Sequence, residues 1–116
     1  MYMSELHSKS INVDFEIEDK AVPHVRALVA RSQHPNPILA VLWQGVGPSQ
    51  DQLEWNWVIK TVNDDWRKQF DCVRFEVKGF TIYSTHLNLE ELRLHLSRLK
   101  ADIVNGRLVV IEKSQC

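Results

Sequence analysis

The chain is poor in the residues from which many functional sites are built. It has two cysteines, Cys72 and Cys116, far apart and with no C-x-x-C pair. With one of them at the last position, no native disulfide is expected; two free thiols in a reducing compartment are. Four glycines leave little room for a phosphate-cradling loop. Gly45-Val46-Gly47-Pro48 fits neither the dinucleotide nor the Walker spacing and reads as a turn that ends a strand. The histidines His7, His24, His34, His86 and His95 include no pair at helical i, i+4 spacing, so no compact metal motif is present and no metal or other cofactor is expected. An excess of charge is missing too: 14 basic against 15 acidic side chains give a net charge of -1. A general nucleic-acid binder carries a basic stripe that displaces counterions from phosphates, so nucleic acid is not expected as a partner. The longest apolar run, Ile38 to Trp43, falls well short of the roughly 20 residues of a membrane span. Residues 1–10 place no apolar run behind a basic region, and Met3 is a second possible start. Neither a signal peptide nor a membrane association is expected, and the reading is cytoplasmic.

What is present suffices for one domain. At 116 residues and 44% hydrophobic, the chain can bury well over half of its unfolded surface without a disulfide or a structural metal. Residues 1–10 are polar and aperiodic and are expected as a flexible N-terminal tail, with residues 11–113 forming a single α+β domain. Ile11, Val13, Phe15 and Ile17 alternate with Asn12, Asp14, Glu16 and Glu18, the period of a strand with one buried face and one acidic, wet face. That acidic row either meets a basic partner or protects an edge. Asp19 is placed to cap a helix with the apolar stripe Val22, Val25, Leu28 and Val29, in which Pro23 fits because it falls in the first turn. Two prolines between Ser32 and Pro37 end it.

Ile38 to Val46 begins apolar at every position, as a central strand does. Leu53, Trp55, Trp57 and Ile59 alternate with polar neighbours, which predicts a half-buried strand with a bulky face. Asn63-Asp64-Asp65 breaks that pattern as a solvated turn, and Trp66 to Phe70 is either a short helical turn or a loop. A two-residue turn at Lys78-Gly79 pairs Val77 with Phe80, Phe75 with Ile82, Arg74 with Tyr83 and Glu76 with Thr81. Asn88 and Glu91 form a capping box, with Leu87 and Leu92 as a staple around it. Leu89, Leu92, Leu96, Leu99 and Ile103 continue as a helical seam. Asn105-Gly106 then either ends this helix or turns a hairpin, and the unbroken seam favours the helix end. Leu108 to Ile111 reads as a second central strand. The fold class expected is α+β: a single mixed, largely antiparallel sheet of about six strands packed with two helices, in the order β-α-β-β-β-β-α-β.

Two helices cover only one face of such a sheet. If Val41 and Trp43 point to the other, that face carries Val41, Trp43, Val58, Lys60, Arg74 and Tyr83, a mixture typical of interface centres. The function expected is therefore a small protein-binding domain, of immunity, antitoxin or adaptor kind, with a protein partner or a second copy on this surface and no catalysis. Two alternatives stand beside it. An acid-base enzyme would draw on His86, Glu90 and Arg93 near the helix cap, while His95 is expected to face solvent. The strand-Asp-Lys-Ala-helix stretch from Phe15 to Ala30, the strands after it, and Gly79 before Phe80 to Tyr83 resemble the layout of HesB-type iron-sulfur carrier domains over about two thirds of the chain. The resemblance implies a carrier-type domain without a cluster, because the family's cysteine in mid-chain and its terminal Cys-x-Cys have no counterpart beyond Cys72 and Cys116.

Overall fold

Alternation along a strand states which side of the chain is apolar, but not which neighbour the backbone pairs with, and the first strand separates the two. In a computed structural model, which describes residues 8–85 and 88–113, residues 11–17 keep the expected burial alternation, with Phe15 and Ile17 buried and Asn12, Asp14 and Glu16 exposed. Their backbone, however, crosses between two sheets. β1 (Ser8–Ser10) runs parallel to β5 (Cys72–Val77), and the Ile11 N–H still donates to the Arg74 carbonyl at 2.9 Å. Only β2 (Glu16–Ile17) enters a ladder, and it is parallel to β7 (Leu99–Val104) in the other sheet. Residues 8–10, expected in the tail, are thus a strand, because β5 offers them a free edge.

Among the described residues there are two mixed sheets and three α-helices in place of one six-stranded sheet and two helices. The larger sheet has the order β1-β5-β6-β3-β4, with β3 (Pro37–Val46), β4 (Glu54–Asn63) and β6 (Phe80–Thr85); the smaller has the order β2-β7-β8, with β8 (Arg107–Glu112). The β5–β6 hairpin has the register expected from sequence, with Lys78 and Gly79 both at positive φ (50° and 83°) as a two-residue hairpin turn requires. β3 is interior to its sheet, as its apolar run implied. β8 is an edge strand, half-buried rather than central.

The helical seam misleads at its C-terminal end. α3 (Leu89–Ser97) stops at Arg98, and Leu99, Ala101 and Ile103 continue as β7. These three positions satisfy period two as well as the helical stripe satisfies period 3.6, so hydrophobic spacing alone does not separate them. The turn decides: Asn105 and Gly106 both have positive φ (53° and 77°), the conformation of a hairpin, and Val104 pairs with Arg107 across it. At the start of α3 the Asn88 side chain accepts from the Glu91 N–H at 3.2 Å, as the cap predicts; Leu87, its staple, lies outside the described residues. α1 (Val22–Ala30) follows a short 3-10 turn over Asp19–Ala21 and has Pro23 in its first turn. Asp19 does not cap it. Its carboxylate pairs with Lys78, which holds its pKa below the ordinary value.

One core joins all of this. Leu39, Val41, Val73, Phe75 and Ile82 of the larger sheet meet Phe15, Ile17, Leu99 and Ala101 around the second, with Val25 of α1 and Leu92 and Leu96 of α3 between them. Ser84 and Asp102 are the buried polar residues among those described; the Ser84 hydroxyl donates to the Val41 carbonyl at 2.6 Å and ties β6 to β3. The acidic row of residues 11–18 meets its own chain, Glu16 with Lys113 and Glu18 with Lys100, both at 3.5 Å.

Candidate functional site

Strand register assigns the faces of the larger sheet. Residues directly opposite one another point the same way, so Val41 with Ile59 and Trp43 with Trp57 share the core-facing side with Leu39 and Ile82. Leu42 with Val58, Ala40 with Lys60 and Tyr83, and Tyr83 with Arg74 share the opposite side. Of the six residues expected on one interaction surface, Val58, Lys60, Arg74 and Tyr83 are therefore together on the outer face, while Val41 and Trp43 are on the other. Val41 is fully buried; Trp43 is 54% exposed.

The outer face is not left bare. β4 and β5 lie on opposite sides of the β6-β3 pair and run parallel, so the chain from Asp64 to Asp71 must return across the sheet. This connection carries α2 (Trp66–Gln69), the segment for which sequence left a helical turn and a loop open. Arg67 bonds Asp64 at 2.6 Å, which raises the arginine pKa, and it lies near enough to Tyr83 and Cys72 to interact with them electrostatically. Cys72 is buried beneath it, although its neighbours in strand parity are Arg74 and Glu76. Burial, and then the negative charge of Asp71, push the thiol pKa up to about 11.

An open site lies instead at the end of the sheet. β6 stops at Thr85, level with Leu42, whereas β3 and β4 continue as a two-stranded ribbon to Val46 and Glu54. Beside this ribbon is a cleft of about 790 Å³. The ribbon supplies Trp43 and Trp57 as one wall, their rings 5.5 Å apart and inclined by 55°. Trp55 stacks on Trp43 at 6.4 Å from outside the cleft and is 55% exposed. α3 supplies the second wall through Asn88, Glu91, Leu92 and His95, an i, i+3, i+4, i+7 stripe. Gln69, Phe70 and Asp71 close the third side. His95 is exposed, as expected, and its ring lies 5.8 Å from that of Trp57.

The volume suits a small ligand or a short peptide segment, and the lining joins aromatic faces to a few polar groups. Trp43 is the one residue of the expected surface that reaches it. Trp57, Phe70, Asp71, Glu91 and His95 were missed, although the 88/91/92/95 spacing and the repeated tryptophans carried the signal. His86, the expected acid-base candidate, lies outside the described residues. Among the described residues no three His, Cys, Asp or Glu side chains group as metal ligands. For a HesB-type cluster the described chain offers only the buried Cys72, which does not fit that family's three-cysteine ligand set, and Cys116 lies outside the described residues. No described helix is long and apolar enough to cross a membrane. Comparison with protein-family models, curated proteins and solved structures finds no match to this chain.

Proposed function

We propose that this chain is a small protein-binding domain, of the immunity, antitoxin or adaptor kind, that docks a short segment of a partner protein in the tryptophan-walled cleft. The observation that carries this reading is the exposure of Trp43 and Trp55, each more than half open, on a ribbon that borders a cleft of about 790 Å³. Tryptophan is enriched at binding hot spots because one rigid ring buries a large area at small entropic cost. Holding two such rings in water on a regular strand pair gains the fold little. The outer sheet face, with Val58, Lys60, Arg74 and Tyr83, supports docking less well, since the connection from Asp64 to Asp71 already returns across it. A cytoplasmic setting agrees with the free thiol and with the balanced charge.

Peptide-display selection against the whole chain tests the reading. Enriched peptides are expected to bind the native protein and to lose binding to Trp43→Ala, which leaves the circular dichroism spectrum unchanged. No enrichment, or binders indifferent to Trp43, would count against docking in the cleft. A concentration-dependent dimer that Trp43→Ala dissolves would reassign the cleft to a second copy of this chain.

A further inference from the structure

Chemistry around the cleft narrows what the docked segment presents. Among the described residues, its lining contains two carboxylates, Asp71 from the β5 side and Glu91 from α3, and no lysine or arginine. Neither carboxylate forms an ion pair or a side-chain hydrogen bond with a described residue; at Glu91 it is the backbone N–H that Asn88 caps. Five other carboxylates, Glu16, Glu18, Asp19, Asp64 and Asp102, each have a cation within the chain, and what sets Asp71 and Glu91 apart from the remaining exposed ones is the aromatic lining beside them. Around the cleft, aromatic faces and negative charge occur together: Trp43, Trp57 and Phe70 line it with Asp71 and Glu91.

Resting on the docking reading above, we infer that the cleft takes a cationic anchor, an arginine or lysine side chain carried by the partner's segment. A guanidinium or ammonium group is attracted to the face of an indole when it lies within about 6 Å of the ring, and more strongly once water is excluded. The two carboxylates then supply the counter-charge and the acceptors. A neutral or acidic segment of the same shape would cover both carboxylates and leave them without a partner, which is costly. Specificity follows from that cost as much as from the attraction.

The test uses the whole chain and a set of synthetic peptides of varied flanks whose central residue is arginine, lysine, norleucine or glutamate. Binding is read from tryptophan fluorescence. Arginine- and lysine-centred peptides are expected to bind about tenfold more tightly than norleucine-centred ones. That preference should shrink as salt is raised from about 0.05 to about 0.5 M and vanish in the double variant Asp71→Asn, Glu91→Gln. Trp43→Ala should lose binding for every centre. Norleucine-centred peptides that bind equally well, with the same dependence on Trp43, would overturn the cationic anchor and leave the docking reading in place. If no peptide of any centre bound the folded protein, the docking reading would fall and the anchor with it.

Discussion

At Cys72 two influences act in the same direction. Burial penalises the thiolate, the neighbouring Asp71 charge repels it, and the pKa rises to about 11. A thiol is nucleophilic only as thiolate, so at pH 8 roughly one molecule in a thousand is reactive, before access is considered. Cys72 should therefore stay unlabelled by iodoacetamide in the native protein and react after denaturation, as site-resolved mass spectrometry will show. Labelling of native Cys72 at the denatured rate would mean that the return connection does not cover it. Asp102 gives a prediction of the opposite sign. The Ile103 N–H at 2.7 Å, and then Lys20 and Lys100, hold its carboxyl below the ordinary value of 3.8. The unfolded chain takes up that proton first as pH falls, so the stabilisation is complete above the ordinary carboxylate range and is lost on acidification through it. Asp102→Asn should lower stability at neutral pH and flatten the acid limb of a stability-versus-pH curve. An unchanged acid limb would remove Asp102 from the cause of acid sensitivity.

Among the elements, those whose local chemistry is self-contained were legible. The hairpin of β5 and β6 announces itself through four cross-strand pairs and a glycine at the turn, and Asn88 marks the start of α3 through a bond made within one turn. The end of α3 was not legible, because Leu99, Ala101 and Ile103 fit two periods and only the positive φ of both Asn105 and Gly106 separates them. Leu96, fully buried on α3, keeps its expected role: Leu96→Ala should cost about 2–5 kcal/mol in urea unfolding. A loss below about 0.5 kcal/mol would place the α3 stripe outside the core. The loop between β3 and β4 makes a sharper demand. A methyl group on Gly47 would stand 2.1 Å from the Gln52 carbonyl oxygen, so backbone must move to admit it. Gly47→Ala should destabilise by about 1–3 kcal/mol and broaden the resonances of the tryptophan ribbon. A neutral substitution would show that the loop can yield without disturbing Trp43 and Trp55.

For the molecule as a whole, sequence patterns indicated an α+β domain but not the division into two sheets. The stretch from Ile11 to Ile17 reads as one strand because its side chains face one core throughout, yet its backbone leaves the edge of β5 and joins the edge of β7. The same limit hid the cleft. Trp43 was recognisable as a candidate for an interaction surface, but its partners across the space, Phe70, Glu91 and His95, come from separate segments that the return of the 64–71 connection and the packing of α3 bring together. The account stands on that space being where a partner docks. The most direct measurement is a map of amide and indole resonances while the best-binding arginine-centred peptide is titrated into the labelled protein. The account predicts that Trp43, Trp57, Phe70, Asp71, Glu91 and His95 shift together and saturate at one equivalent. Shifts confined to Val58, Lys60, Arg74 and Tyr83 would contradict it and return the interaction to the outer face of the sheet.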